Sequence, residues 1–498
     1  MSLLTNLIQA IGIVFQPFPL SLIILGVLIG ITMGSLPGMT ATMTVAVLVS
    51  FTFGMEAVEG MMLLLGIYGG ALYAGSIPAI LIRTPGTPSA AATVFDGFPL
   101  AQRGEADRAI TIATVASFVG GAVSVVFLTL LSPQIAAVAL EFGSPEYFAL
   151  AVFGLTIIAS VSGDSLVKGL ISGLLGMLLA TVGLDPILAY PRFTFGYQPL
   201  TSGIQFIAVM IGLFGIAEGL HRYRSGLGHQ ESSQEIASLL PEMSDLNEIK
   251  TIVLGSSIVG TFIGSIPGAG GDIASFITYN EAKRWAHDTA TSFGDGDIRG
   301  IAAAESGNNA STGGALIPTL TLGIPGDSVT AILIGALMVH GIRPGPQLFQ
   351  TEPELVYAIF VGFFVVYLVV GAIGLIGARY WAKIIDFPAK YLWPSILVLS
   401  FVGAYALRGN MLDVWVMFGA GVLGYVMRAE NYPLAPMVLG LILGPIAEVN
   451  LRRSLKLSGG SLGIFYEKPL TLAILLLAIA SLLLPLVQTW RERRSEAV

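Results

Sequence analysis

Four Pro-Gly pairs interrupt apolar sequence, at Pro37-Gly38, Pro85-Gly86, Pro267-Gly268 and Pro325-Gly326. Proline removes a backbone donor and clashes with the preceding turn, and glycine admits left-handed or extended backbone. A helix broken there exposes free N–H groups at one new end and free C=O groups at the other. The first kind of end attracts anions and the second attracts cations. Co-transport of a carboxylate with a cation is the chemistry such ends suit. Small or hydroxyl residues follow each break: Thr40 and Thr42, Thr87 and Ser89, Gly270 and Gly271, and Ser328. They cap helix starts and leave room for a ligand to reach backbone N–H groups. With Gly38, Gly86, Gly268 and Gly326 they are the candidate substrate contacts. Plain capping and small-residue packing would explain any one break. Four breaks in a paired pattern favour a site.

The segment IAAAESGNNASTGGALIP carries Glu305, Asn308 and Asn309 among small residues. Polar groups at membrane depth are costly and mark function by default. An Asn pair can donate to a carboxylate and accept from a cation-bound water, or it can join helices. Asn308 and Asn309 therefore complete the substrate set. Asp272, Glu305 and Asp327 are the candidates for cation coupling, with Na⁺ or H⁺ as the ion and carbonyls at the helix breaks assisting. Arg83, the one cation near the first-half breaks, suits either a bidentate carboxylate contact or snorkelling to an interface.

The elements that hold these residues follow from composition. Of 498 residues, 54% are hydrophobic and only 11% charged, against about 25% charged in soluble proteins. The expected body is an all-α polytopic membrane protein. A net charge of −7 argues against a nucleic-acid partner, and the absence of Cys excludes disulfides and thiolate metal sites. Residues 1–82 contain no Lys or Arg, so no signal peptide is expected. Residues 3–16 read as a short apolar helix at the interface. Apolar runs then recur from Leu20 to about residue 487, several of them short of the ~20 residues a crossing needs. The expectation is about 10–14 transmembrane helices, with Pro-Gly-broken or re-entrant helices among them. Polar residues 221–248 read as a linker between halves 1–245 and 246–498.

The halves repeat. Gly34-Ser35-Leu36-Pro37-Gly38 returns as Gly264-Ser265-Ile266-Pro267-Gly268 at an offset of 230, and the segment from Ile77 to Gly86 returns from Ile317 to Gly326 at an offset of 240. Matched loops carry opposite basic bias: 54–60 has no basic residue and 281–299 has Lys283, Arg284 and Arg299, whereas 96–108 has Arg103 and Arg108 and 341–354 has only Arg343. Opposite bias implies inverted repeats, a mark of secondary transporters. The basic C-terminus RERRSEAV is expected in the cytoplasm.

No phosphate-binding loop, His-Glu-x-x-His or Gly-x-Ser-x-Gly motif is present, so no enzyme is expected. Gly294-Asp295-Gly296-Asp297 matches a protease string but reads as a solvated turn. The strings GSLPGMTATM, YGGALYAGSIPAILIRTPGTPSAAATVFDGFPLAQRGEADRA, GSIPGAGGDIASFITY and AAAESGNNASTGGALIPTLTLGIPGDSVTAILIGALMVHGIRPGP resemble the large membrane subunit (TctA-like) of the tripartite tricarboxylate transporter family, over nearly the whole chain. The resemblance implies a multi-pass permease of the bacterial inner membrane. It also implies a small membrane subunit (TctB-like), a periplasmic solute-binding protein (TctC-like), and uptake of organic carboxylates driven by a cation gradient rather than ATP. A carboxylate channel, or an exchanger working without a binding protein, is the alternative. Substitution of Gly270 or Gly326 by Val is expected to abolish transport in a folded protein.

The loop charges predict that 96–108 and 281–299 face the cytoplasm and that 54–60 and 341–354 face the periplasm. Single cysteines at Ala101 and Thr289 should then resist an impermeant external thiol reagent, and those at Ala57 and Gln347 should react. Labelling of all four from one side would show a parallel repeat.

Overall fold

A computed structural model describes residues 3–161, 165–225, 241–268, 270–286, 293–384 and 387–495. In chain order the helices begin with α1 (Leu3–Val14), α2 (Pro17–Gly34), α3 (Ala41–Leu48), α4 (Ala57–Ala74), α5 (Ser76–Ile82), α6 (Val94–Gln102) and α7 (Ala106–Ala139). Next come α8 (Ser144–Val161), α9 (Leu166–Ala180), α10 (Phe206–Met210) and α11 (Ala217–Ser225). After the linker follow α12 (Met243–Gly264), α13 (Gly270–Trp285), α14 (Ile298–Leu322), α15 (Ser328–Val339), α16 (Leu348–Thr351), α17 (Pro353–Ile384) and α18 (Ala389–Ala406). The chain closes with α19 (Met411–Ala429), α20 (Leu434–Leu457) and α21 (Pro469–Ser495). Among the described residues the only strands are the two-residue β1 (Gly183–Leu184) and β2 (Pro191–Arg192), paired antiparallel. Seven helices are long and apolar enough to cross a membrane, and seven shorter apolar helices accompany them among the described residues. The fold is thus all-α and polytopic. Residues 226–240 of the expected linker lie outside the described residues.

Two compact units form, and each takes one segment from either side of the linker. The first combines 1–136 with 218–406, and the second combines 137–217 with 407–498. All the candidate residues belong to the first unit. Two helices are its core. The continuous span Ala57–Ile82 is 94% buried, against 44% for Pro17–Gly34, and every residue of α14 from Gly300 to Thr321 is buried.

Glycine sets how the outer helices meet these two. A methyl group at Gly30 or Gly34 would fall within 3.0 Å of the carbonyl oxygen of Ile67 or Ala71 on α4. At Gly260 and Gly264 it would fall as close to those of Gly307 and Ser311 on α14. These partners match at the same offsets, 230 and 240, that relate the sequence motifs. The α2–α4 and α12–α14 seams are therefore one packing used twice, backbone against backbone.

The polar loop before α14 differs from the solvated turn its sequence suggests. The buried carboxylate of Asp96 on α6 accepts the N–H groups of Gly294 (2.8 Å), Gly296 (2.9 Å) and Asp297 (2.8 Å), and the Tyr279 hydroxyl (2.9 Å). The loop is clipped to α6 through its backbone, while the Asp295 side chain stays exposed.

Two labelling positions shift as a result. Ala101 is buried and Thr289 lies outside the described residues, so Gln102 and Lys283, both exposed, report the same loops. For the seams, Gly264→Ala overpacks a backbone contact and should lower stability by about 1–3 kcal/mol. Gly54→Ala, with nothing within 4 Å, should be neutral. Thermal unfolding in detergent compares them, and equal midpoints would show that the seam tolerates a side chain.

Candidate functional site

The four breaks form as two matched pairs of geometries. Gly38 and Gly268 both turn with positive φ, 87° and 82°. At the other pair, Arg83 (φ 58°) and Gly323 (φ 70°) end their helices in the left-handed conformation. There the N–H groups of Thr84 and Ile324 return to the carbonyls of Pro78 (3.2 Å) and Pro318 (3.3 Å). Helix starts follow. Thr40 caps α3 by accepting from the Met43 N–H (3.1 Å). Asp327 caps α15 by accepting from the Thr330 N–H (2.7 Å), and Thr330 answers by accepting the Asp327 N–H (2.9 Å).

In the second half the breaks touch: the Gly268 N–H donates to the Gly326 carbonyl (2.7 Å). In the first, the Gly86 N–H donates to the carbonyl of Gly75 at the α4–α5 junction (3.0 Å). A methyl group at Gly86 would lie within 3.0 Å of the Gly34 carbonyl, and one at Gly326 within 3.0 Å of the Ala315 backbone. These two glycines are needed for packing. The expectation that Gly326→Val leaves the protein folded is therefore corrected, because the isopropyl group has no space.

The two halves also meet. A methyl group at Gly271, in the first turn of α13, would stand 2.5 Å from Asn308 Oδ1, 3.1 Å from Ser311 Oγ and 3.3 Å from Ser89 Cβ. The Thr87 and Ser89 hydroxyls are 3.0 Å apart. Both amide atoms of Asn308 are buried and have no hydrogen-bond partner among the described residues. The first N–H groups of a helix have no intrahelical acceptor. The start of α13 thus lies beside a buried amide with no partner among the described residues. Beside it, Gly270 approaches Asp327, whose Oδ2 accepts the Tyr68 hydroxyl (2.5 Å). Asp272 is exposed, and Thr40, Thr42, Gly268, Asp327 and Ser328 are partly so. Gly38, Gly86, Thr87, Ser89, Gly270, Gly271, Asn308 and Gly326 are buried. The arrangement runs from an acidic, accessible rim to a buried amide.

Glu305 and Asn309 lie in a different cluster. Glu305 accepts the hydroxyls of Thr93 and Ser117, the latter at 3.0 Å. Asn309 Nδ2 donates to Ser117 Oγ (2.8 Å) and to the Glu305 carbonyl (3.1 Å). The Glu305 carboxylate and the Asn309 amide nitrogen are thus engaged by neighbours, while Asn309 Oδ1 has no partner among the described residues. Thr40, Thr42 and Ser328 sit at the starts of α3 and α15, which pack beside each other.

Tyr68, Ser311, Thr93 and Ser117 were not singled out by sequence. Tyr68 carried one legible signal: a Tyr in a wholly apolar run needs a partner for its hydroxyl.

Long buried helices broken at paired Pro-Gly positions, with a polar centre, define a polytopic membrane protein built around an internal site. The chain belongs to the tripartite tricarboxylate transporter TctA family, whose profile matches residues 20–439. It is 36% identical over 498 residues, 100% of this chain and 99% of the relative, to an Agrobacterium vitis protein described as an uncharacterized 52.8 kDa protein in TAR-I ttuC' 3'region. It is 35% identical over 239 residues, 48% of this chain and 98% of the relative, to a protein of the same organism described as an uncharacterized protein in TAR-II ttuC' 3'region. No solved structure matches the chain.

The two clusters predict different mutant behaviour. Asn308→Ala removes an amide without a protein partner, so thermal stability should hold while apparent substrate affinity falls about 2- to 13-fold, the equivalent of about 0.5–1.5 kcal/mol. Asn309→Ala and Glu305→Ala strip partners from buried hydroxyls and should each lower stability by about 1–3 kcal/mol. Unfolding midpoints and uptake kinetics on the same preparations separate these effects. The opposite assignment of affinity and stability would place the site elsewhere.

Proposed function

We propose that the chain is the permease subunit of a binding-protein-dependent secondary transporter, importing organic carboxylates of the tricarboxylate or dicarboxylate class by cation symport across the bacterial inner membrane. The observation that carries this reading is the start of α13 at Gly270 and Gly271 lying beside the buried amide of Asn308, which has no hydrogen-bond partner among the described residues. N–H groups at a helix start and a side-chain amide are donors that suit a carboxylate. Asp272 and Asp327 are close enough to interact electrostatically. Two carboxylates repel an arriving anion unless a cation lies between, which is the physical reason for coupling. Asp327 joins this pair through the α15 start, with Na⁺ or H⁺ as the coupling ion. Membership of a tripartite family supports a small membrane subunit and a periplasmic solute-binding protein as partners. In this reading the halves are inverted, and one bundle moves against the other around the site.

Uptake of labelled citrate into proteoliposomes tests the proposal. Concentrative uptake should require the binding protein and a Na⁺ or H⁺ gradient, proceed without ATP, and show counterflow of labelled against unlabelled substrate. Asp327→Asn keeps the cap geometry and removes the charge, so it should alter the dependence on the driving cation, while Asp295→Asn in the clipped loop should be silent. Full concentrative uptake without the binding protein would favour the exchanger. Flux with no counterflow would favour a channel, and uptake that survives collapse of both gradients would end the symport reading.

A further inference from the structure

The second compact unit carries a lobe, residues 183–203, that the transport chemistry does not use. Large apolar side chains crowd its surface. Phe195 is 90% exposed, Leu188 65%, and Leu184, Tyr190, Phe193 and Tyr197 about half. Ala189, Phe193 and Phe195 take positive φ (56°, 52° and 49°), a conformation that L-residues adopt only at a cost. The chain thus holds these side chains outward against local strain. Its only charged residues are Asp185 and Arg192, and both are tied to α20. Arg452 pairs with Asp185 (2.6 Å), and Arg192 pairs with Glu448 (2.7 Å). Two acids and two bases make the base of the lobe neutral. Burial pushes the Asp185 carboxyl up, but the N–H groups of Leu188 and Ile187 and the Arg452 guanidinium outweigh it and hold it at about 2, so the cluster stays ionised.

We infer that this lobe is a membrane-interface anchor, seated among lipid headgroups at the end of α9. Three further observations point to a lipid surface as the occupant. First, α9 packs its glycine face on α20, where a methyl group at Gly176 would meet the Met437 carbonyl. Its other face leaves Val167, Leu170, Ile171, Leu174 and Leu178 exposed. That apolar stripe continues directly into Leu184, Ile187 and Leu188 of the lobe. Second, α9 has 15 residues and rises about 22 Å, against a hydrocarbon core of about 30 Å. Lys168 near its start donates to the Glu430 carbonyl (2.6 Å), a charged group suited to one boundary. The far end then falls about 8 Å short of the other boundary, and the lobe carries the chain from there to the headgroups. Third, the backbone donors at 185 and 187–189, next to the end of α9, are satisfied from within. Ile187 and Leu188 donate to Asp185 Oδ1 (2.9 and 2.6 Å), Ala189 to the Asp185 carbonyl (2.9 Å), and Asp185 to the Tyr190 carbonyl (2.9 Å), while Pro186 and Pro191 have no N–H. Non-helical backbone near hydrocarbon needs such closure, and aromatic side chains favour the headgroup level.

The absence of native Cys allows a direct depth measurement. Nitroxide labels at Phe195→Cys, at Leu174→Cys on the α9 stripe and at Gln347→Cys in an exposed loop are compared in phosphatidylcholine vesicles containing a minority of phosphatidylglycerol. Relaxation by oxygen, which partitions into lipid, is set against relaxation by a water-soluble nickel chelate. The Phe195→Cys label should fall between the lipid-like Leu174→Cys and the water-like Gln347→Cys. A value equal to that at Gln347→Cys would overturn the anchor. So would shielding from both reagents that appears only when partner subunits are present, since a protein would then cover the lobe. Phe193→Cys repeats the measurement should Phe195→Cys disturb the fold.

Discussion

A bilayer core offers no water to a broken helix, and this constraint governs the first compact unit. Each Pro-Gly break frees backbone groups that must find partners inside the protein. The chain answers by turning the freed groups onto nearby main chain. Gly268 donates to Gly326 and Gly86 to Gly75, while Thr84 and Ile324 close their helices onto Pro78 and Pro318. Such approaches need glycine at Gly86 and Gly326, where a side chain would enter neighbouring backbone. Polar residues collect around the breaks because that is where the interior already departs from hydrocarbon.

Two adjacent asparagines show how the interior sorts those residues. Successive helical positions point about 100° apart, so Asn308 and Asn309 meet different neighbours. Asn309 turns to Ser117 and Glu305 and donates through its amide nitrogen. Asn308 turns to Gly271 and Ser89 and has no hydrogen-bond partner among the described residues. An unpaired buried amide costs about 1–3 kcal/mol, a standing cost that a bound ligand would remove.

Much of this was legible in the chain. Pro and Gly act locally, so the breaks, the cap at Thr40 and the all-α membrane body could be read from short strings. The carriers of long-range contacts could not. Tyr68 reaches Asp327 across 259 residues, and Thr93 reaches Glu305 across 212. Only the fold decides which buried hydroxyl meets which acid. The loop at Gly294 misled for a related reason. Its composition is that of a solvated turn, but its N–H groups converge on Asp96, 198 residues away. The compact units were equally hidden, because each is assembled from both sides of the linker.

The glycine seams carry a mechanical consequence. Where α2 lies on α4 and α12 on α14, main chain rests on main chain, and there are few rotamers to exchange at the contact. Side-chain interfaces can shear by repacking; these cannot without lifting whole turns over one another. Each pair therefore behaves as a riveted beam. Compliance is left to the short non-helical stretches 35–40, 83–87 and 323–327, so a displacement that begins at the ligand would be concentrated in the segments that touch it.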